Sequence, residues 1–463
     1  MAEEKKTPDA KGEAEDTASV TETPTSTEQT AGKESSSKHS SHHHHHHRHR
    51  HRSSRSRSGH SKDSKFSKRE LRKLILLIAS LLAAALVLLG IYWLVDPRDT
   101  YDDPDANASK EESVIKNGIQ LRLTLFTEEQ VLIGTDALEF YNTTTTSTVD
   151  DFLDDHNSAG RMDIGLPVQI GYDIDGIPAG YTVMNAAIEV SENENFADSR
   201  VHVLKGAEKI ASFEYLKTGT HYYYRITLIL SDGQKISTQG SFQTAATPRI
   251  LSIDGMINVR DIGGWKTTDG KLVRQGLLYR GGELDGTFEP TYRITEEGIY
   301  DMLTLLGIRT DMDLRSSASA SNQAYPLGTN VKHTYYGAPA YDGIFTDEGK
   351  ETIRTIFADL ADPDNYPVYL HCTYGLDRTG TVCYLLEALL GVSEQDVMKD
   401  YCLSLLYHRG ADTTSITELS FYLNQLEGAT LKQKVEGYLL SIGVTAQEIA
   451  SIRSIFLEQP SIS

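Results

Sequence analysis

Within HCTYGLDRTG, residues 371–380, a thiol, a guanidinium, a carboxylate and a hydroxyl fall in one short turn. The apolar run YPVYL precedes it, and TVCYLLEALLGV, which reads as a helix, follows. A strand that passes through a tight turn into a helix leaves backbone N–H groups pointing into the turn, and these form an anion site. Gly375 lets the backbone bend closely around a ligand, and Arg378 offers a planar fork matched to two phosphate oxygens. Cys372 sits where the N–H dipoles and the guanidinium both favour negative charge, the setting in which a thiol becomes a nucleophile toward bound phosphate. Thr373, Tyr374, Gly375, Leu376 and Asp377 separate Cys372 from Arg378, enough chain for one loop to wrap a tetrahedral group. Thr379 can donate a hydrogen bond to the sulfur as it leaves, and His371 is expected to orient the loop from behind.

The spacing of Cys, five residues, Arg and then Thr is shared by the cysteine-dependent phosphatases. The fuller pattern His-Cys-x-x-Gly-x-Asp-Arg-Thr-Gly is matched at His371, Cys372, Gly375, Asp377, Arg378, Thr379 and Gly380. It resembles the bacterial tyrosine phosphatase family that accepts phosphoprotein and phosphoinositide substrates. NVRDIGGW (Asn258 to Trp265), LYRGGEL, DMDLRSS with Asp313 and Arg315, and LLGVSEQDVMKDYCLS extend the resemblance over about residues 250 to 460. The resemblance implies an α/β phosphatase domain, a central sheet flanked by helices, that hydrolyses phosphate monoesters through a cysteinyl-phosphate without a metal or other cofactor.

A leaving alkoxide or phenoxide must be protonated. Asp377 is the first candidate acid, because it lies inside the loop and lipid phosphatases of the myotubularin and Sac kinds have an aspartate at the same place. Asp313, in the Asp-Leu-Arg element, is second, with a salt bridge or loop cap as its alternative role. Asp342, in GAPAYDGIF, is third and reads more simply as a solvated turn residue. Leu376 stands where many relatives carry a lysine able to meet a second phosphate, and Tyr374 where relatives often carry a small residue. Both departures lean toward monophosphate esters such as phosphotyrosine. Rival readings are a phosphatase of inositol phosphates or other small esters, and a catalytically weak surface protein that binds phosphorylated ligands.

The loop needs a scaffold, and residues 249–463 alternate β-like runs with amphipathic ones, the texture of an α/β domain. GLLYR, IRTDMDL, VKHTYYG and YPVYLHC are the expected strands. Helices are expected over Thr295–Leu306, Lys350–Leu360, Arg378–Leu390 and Ser393–Leu405, with two more near the C-terminus. Cys383 and Cys402 fall in two of these helices and read as buried apolar side chains, since three cysteines make no disulfide scaffold.

Residues 114–248 have a β texture without a catalytic cluster, and Ser231-Asp232-Gly233 between YRITLIL and KISTQGSF signals a hairpin. The stretch from Leu216 resembles the end of a fibronectin type III-like sandwich, matching Leu216, Gly219, Thr220 and Tyr222 or Tyr224. That resemblance implies an all-β spacer or docking module, with a surface ligand as its partner.

The net charge of −20 is unevenly spread, and no nucleic-acid partner is expected. Residues 1–70 hold too few apolar side chains to bury a core and are expected to be a disordered tail. HHHHHHRHRHRSSRSRSGH within it reads as a solvated basic segment or tag. Leu74–Val95 is an uncharged run of 22 residues, long enough to span a bilayer and too long and too late for a signal peptide. Lys65, Lys68, Arg69, Arg72 and Lys73 precede it and the acidic stretch DPRDTYDDPDA follows, so the tail is expected in the cytoplasm and the rest outside. Residues 96–113 would form a short stalk.

Overall fold

The computed structural model describes residues 113–116, 118–156, 160–288, 290–316, 325–407 and 412–458, all within one compact unit, Ile78–Ser463. The expected tail, the Leu74–Val95 span and the stalk lie outside the described residues, apart from Ser113, which opens the first strand. No helix among the described residues is long and apolar enough to cross a membrane.

Two four-stranded antiparallel sheets come first. One runs β1 (Ser113–Lys116), β2 (Ile119–Leu123), β3 (Val168–Asp175), β6 (Ile210–Phe213). The other runs β5 (Arg200–Leu204), β4 (Val183–Ser191), β7 (His221–Leu230), β8 (Lys235–Gln243). Alternation along β7 sends Tyr222, Tyr224, Ile226, Leu228 and Leu230 inward, where they share one core with Leu121, Ile170 and Phe213 of the other sheet. The β7–β8 turn falls at the expected triplet, with Gly233 at φ 83°. Of the two candidate tyrosines, Tyr222 bonds back across the corner before β7: its Oη accepts the Lys217 N–H at 2.9 Å, tying the start of β7 to the chain just before it.

This region is not all-β. Between β2 and β3 two helices form, Thr135–Thr143 and Val149–Asp155. Their buried residues Ala137, Phe140, Val149, Phe152 and Leu153, with Ile133 and Met162, join the core of the C-terminal domain rather than that of the two sheets. The threonine-rich run around residues 142–148 masks them, since β-branched residues are weak helix formers and helices this short are stabilised mainly by packing.

The C-terminal sheet has the order β13-β12-β14-β11-β10-β9. Its strands are β9 (Arg249–Ile250), β10 (Arg260–Asp261), β11 (Leu278–Gly281), β12 (Thr310–Asp313), β13 (Lys332–Tyr335) and β14 (Val368–His371). β14 is parallel to β11 and β12 and fully buried, which explains its near-continuous apolar run. Gly281, His371 and Asp313 pair at one level, so three chains leave the sheet together at its C-terminal edge, where ligands of open α/β sheets bind.

Helices Asp347–Leu360, Asp377–Leu390 and Glu394–Leu403 accompany the sheet, and among the described residues three rather than two follow, Thr414–Asn424, Leu431–Ser441 and Ala446–Phe456. The expected Thr295–Leu306 helix is α-helical only over Glu296–Tyr300 and widens into a π turn over Asp301–Leu305. Asp377–Leu390 is buried from Thr379 onward, so it is central rather than amphipathic. Cys383 and Cys402 are buried thiols, and burial pushes both up to about 12.

The two β-sheets and the C-terminal domain are fastened by polar contacts. Arg249 binds Asp261 at 2.6 Å, the Leu216 carbonyl at 3.0 Å and the Tyr215 carbonyl at 2.6 Å. Gln275 exchanges two hydrogen bonds with the Thr218 backbone, at 2.9 and 2.8 Å.

Removing the corner bond in Tyr222→Phe leaves the Lys217 N–H without its acceptor and is expected to cost about 1–2 kcal/mol. The measurement is urea unfolding, in which the midpoint should fall with little change of slope; an unchanged midpoint would show that the bond adds nothing.

Candidate active site

β14 ends at His371, the helix begins at Asp377, and Cys372, only 2% exposed, lies at the base of the loop between them. Three successive loop carbonyls are bound from outside. Thr373 O accepts the Glu283 N–H at 3.0 Å, Tyr374 O accepts Asn258 Nδ2 at 3.0 Å, and Gly375 O accepts Arg280 Nη2 at 2.9 Å. Across a trans peptide the C=O of one residue opposes the N–H of the next. Outward carbonyls therefore turn the N–H groups of Tyr374, Gly375 and Leu376 to the inner side of the loop. Gly375 sits at φ 70°, and a Cβ there would lie 2.4 Å from Gly281 O, so only glycine lets the loop lie this close to β11. The Leu376 side chain is buried in the core.

The arginines divide into two kinds. Arg260 and Arg280 share Asp400, at 2.9 and 2.6 Å, and both are buried. Burial alone would raise the Asp400 carboxyl, yet these two guanidiniums hold it below the usual range. Arg315 is likewise buried, among Asp313 (2.7 Å), Glu283 (2.6 Å) and Asp285 (3.0 Å). Arg378, on the loop, is half-buried and has no carboxylate partner among the described residues; its Nη2 reaches Thr373 Oγ1 at 3.4 Å. It is the guanidinium left available for a bound phosphate.

The three candidate acids separate clearly. Asp313 is fully buried, and Arg315 donates to it from its backbone N–H at 2.8 Å, from Nε at 3.0 Å and from Nη2 at 2.7 Å. It takes the salt-bridge alternative and supports Arg315. Asp342 is an exposed turn residue. Asp377 is the first residue of the helix that follows the loop, half-buried, with Oδ1 accepting from Tyr341 Oη.

Tyr341, next to Asp342 in sequence, is the residue that GAPAYDGIF contributes. Its Oη is 2.7 Å from Tyr401 Oη, and its N–H donates to Thr381 Oγ1 at 2.9 Å, which in turn donates to Asp377 O at 2.8 Å. Burial, with Asp377 and Tyr401 beside it, pushes the Tyr341 hydroxyl up and keeps it a donor. Thr379 Oγ1 is buried and without a hydrogen-bond partner among the described residues, in keeping with a hydroxyl waiting for sulfur or ligand.

His371 lies behind the loop, its Nε2 2.9 Å from Asp311 Oδ1 and 3.9 Å from Asp313 Oδ2, its Nδ1 3.2 Å from Cys372 O. Burial favours the neutral ring, but Asp313 and Asp311 outweigh it and bring His371 up to about 9. Asp311 shows the converse: burial would raise it, while His371 and His333 bring it down to about 2.

Sequence reasoning thus brought Cys372, Thr373, Asp377, Arg378 and Thr379 to one loop. It missed the holders Asn258, Arg280, Asp400, Asp311, Tyr341 and Tyr401. Five of these lie in motifs already visible as NVRDIGGW, LYRGGEL, DVMKDYCLS and DMDLRSS, so the motifs themselves were the signal.

The His371–Asp311 pair sets a stability window. Asp311 contributes above its ordinary 3.8 and loses that contribution as pH falls through about 2; His371 contributes below its ordinary 6.5 and loses it as pH rises through about 9. Urea midpoints should therefore decline between about pH 6.5 and 9, and His371→Asn should flatten the decline. Asp400→Ala leaves two buried guanidiniums unpaired, and a loss of about 3–5 kcal/mol is expected in the same assay.

Comparison with known proteins agrees with this geometry. Residues 251–458 match the family model described as the tyrosine phosphatase family. A Cupriavidus necator protein whose name assigns it to the tyrosine-protein phosphatases is 28% identical over 177 residues, which cover 33% of this chain and 61% of that one. A tyrosine-protein phosphatase of Nostoc commune is 26% identical over 198 residues, 33% of this chain and 67% of that one. The chain thus spans about three fifths of the first relative's length. Among solved structures, the core catalytic domain of a PP-IP phosphatase from S. cerevisiae covers 32% of this chain and 89% of its own, at 16% identity and a TM-score of 0.20. Residues 251–458 are thus similar in sequence to the tyrosine phosphatase family.

Proposed function

We propose that this protein hydrolyses phosphate monoesters, with phosphotyrosine the favoured class, through a covalent intermediate on Cys372. One observation carries the reading: a loop whose carbonyls are tied outward at Thr373, Tyr374 and Gly375, with Cys372 at its base and, where it enters the helix, Arg378 without a carboxylate partner and the Thr379 hydroxyl without a hydrogen-bond partner among the described residues. The phosphoryl oxygens bind the inward N–H groups and the Arg378 fork. Cys372 Sγ attacks phosphorus as the ester P–O bond breaks, and Asp377 gives its proton to the departing oxygen. A water then attacks phosphorus, Asp377 takes its proton, the P–S bond breaks, and inorganic phosphate leaves. Thr379 Oγ1 stabilises the departing thiolate by a hydrogen bond.

The substrate class rests on side chains around the loop. Leu376 is buried and supplies no second cation. Tyr374, a half-buried aromatic residue of the loop, supports an aryl ester as the substrate.

The same proposal extends to the chain's setting. The Leu74–Val95 run with its basic N-terminal flank supports a single span, with the phosphatase-like domain outside the membrane. The two-sheet order and the Tyr222 corner bond support a fibronectin type III-like module between membrane and enzyme.

Turnover of an aryl phosphate without added metal should be lost in Cys372→Ser, while inorganic phosphate still binds; full activity in that variant rules out the covalent route. Asp377→Asn should slow alkyl phosphates more than aryl ones, because phenoxide needs less help from an acid; equal slowing removes Asp377 from the acid role. Protease added to intact cells should digest the C-terminal domain, and protection until lysis would reverse the orientation.

A further inference from the structure

The segment between β2 and β3 reaches the phosphate loop through Asp163. Its carboxylate, 3% exposed, accepts Arg161 Nε on Oδ1 at 2.6 Å and the Asn258 N–H on Oδ2 at 2.8 Å. Asn258 stands at φ 55°, a left-handed conformation that a side-chain-bearing residue keeps only when its neighbours hold it there. From that position its Nδ2 donates to Tyr374 O at 3.0 Å. The Tyr374 carbonyl is one face of the peptide whose other face is the Gly375 N–H, one of the groups turned into the cradle. Three links therefore join the β2–β3 segment to a phosphate-binding amide.

The segment is built into the catalytic unit, not draped over it. Ile133, Phe140, Phe152 and Met162 share the core that contains Cys372 and Leu376. Lys399 Nζ donates to Tyr141 O at 2.6 Å, and Gly165 exchanges hydrogen bonds with Ser252 Oγ at 2.9 and 3.1 Å. A Cβ on Gly165 would stand 2.3 Å from Ile250 O, so the segment's return to β3 runs directly against β9.

We propose that Asp163 is a positioning residue for the phosphate loop, and that residues 133–156 and 160–165 belong to the phosphatase unit although they lie within the module that precedes it. The proposal rests on the phosphatase reading for its kinetic consequences, but its geometric core concerns oxyanion binding alone. Losing the carboxylate releases Asn258 from its left-handed conformation. The Tyr374 carbonyl then turns, and the Gly375 N–H no longer aims at phosphate. A misplacement of this kind is worth about tenfold to a hundredfold in a pre-organised site.

The test uses the full chain, with tungstate as a tetrahedral oxyanion probe, at a temperature where every protein compared is folded. Asp163→Asn should bind tungstate about tenfold or more weakly and lose kcat/KM on an aryl phosphate to a similar degree. Phe152→Leu, in the same segment but off the link, should lower the urea midpoint and leave tungstate affinity unchanged. Wild-type tungstate affinity in folded Asp163→Asn overturns the proposal, as does an equal loss in Phe152→Leu. Should Asp163→Asn fail to fold, Arg161→Met, which removes the group pinning the carboxylate, must weaken tungstate binding, and unchanged affinity there overturns the proposal as well. A wild-type protein that binds tungstate but turns over no phosphate ester would sink the phosphatase reading while leaving the Asp163 comparison decisive.

Discussion

The outward tethering of three consecutive carbonyls is the constraint on which this site depends. A loop with the same residues but an untethered backbone could point either face of each peptide at a ligand. Here the Glu283 N–H, Asn258 Nδ2 and Arg280 Nη2 each claim one carbonyl of Thr373, Tyr374 and Gly375, and the opposite faces are left for an anion. These donors come from two stretches of chain far from the loop in sequence, around Asn258 and over Arg280–Glu283, so the loop's polarity is a property of the assembled domain. Pre-organised dipoles of this kind need no reorientation when charge develops on a phosphoryl group.

Holding those donors requires buried charge. Asp400 fixes Arg260 and Arg280, and the Asp313, Glu283 and Asp285 carboxylates surround Arg315. Buried ion pairs of this sort add little net stability over an apolar core, because desolvation offsets their attraction. Their effect is on geometry: bidentate and shared contacts leave each guanidinium one orientation. Glu387 shows the limit of the arrangement. Burial, with Asp400 nearby, pushes its carboxyl well above the usual range.

The division of the chain by texture differs from its division by packing. Residues 114–248 read as one β module, yet the helices Thr135–Thr143 and Val149–Asp155 bury their apolar faces in the C-terminal core. Arg249 and Gln275 bind the backbone of Tyr215, Leu216 and Thr218 across the same boundary.

The sequence alone determined the proposed chemistry: Cys372 as candidate nucleophile, the fork of Arg378, the strand-turn-helix that carries them and the hairpin around Gly233 all depend on local spacing and backbone preference. It also ranked Asp377 above Asp313 and Asp342, because a residue inside the loop is bound to lie near it. Only the tertiary structure decided that Asp313 is consumed by Arg315, that Tyr341 rather than Asp342 reaches the site, and that Asp163 stands behind Asn258. The reason is one of range. Turns and caps are set by neighbours a few residues apart, whereas the choice of partner for a buried charge depends on which distant segments packing brings within hydrogen-bonding distance.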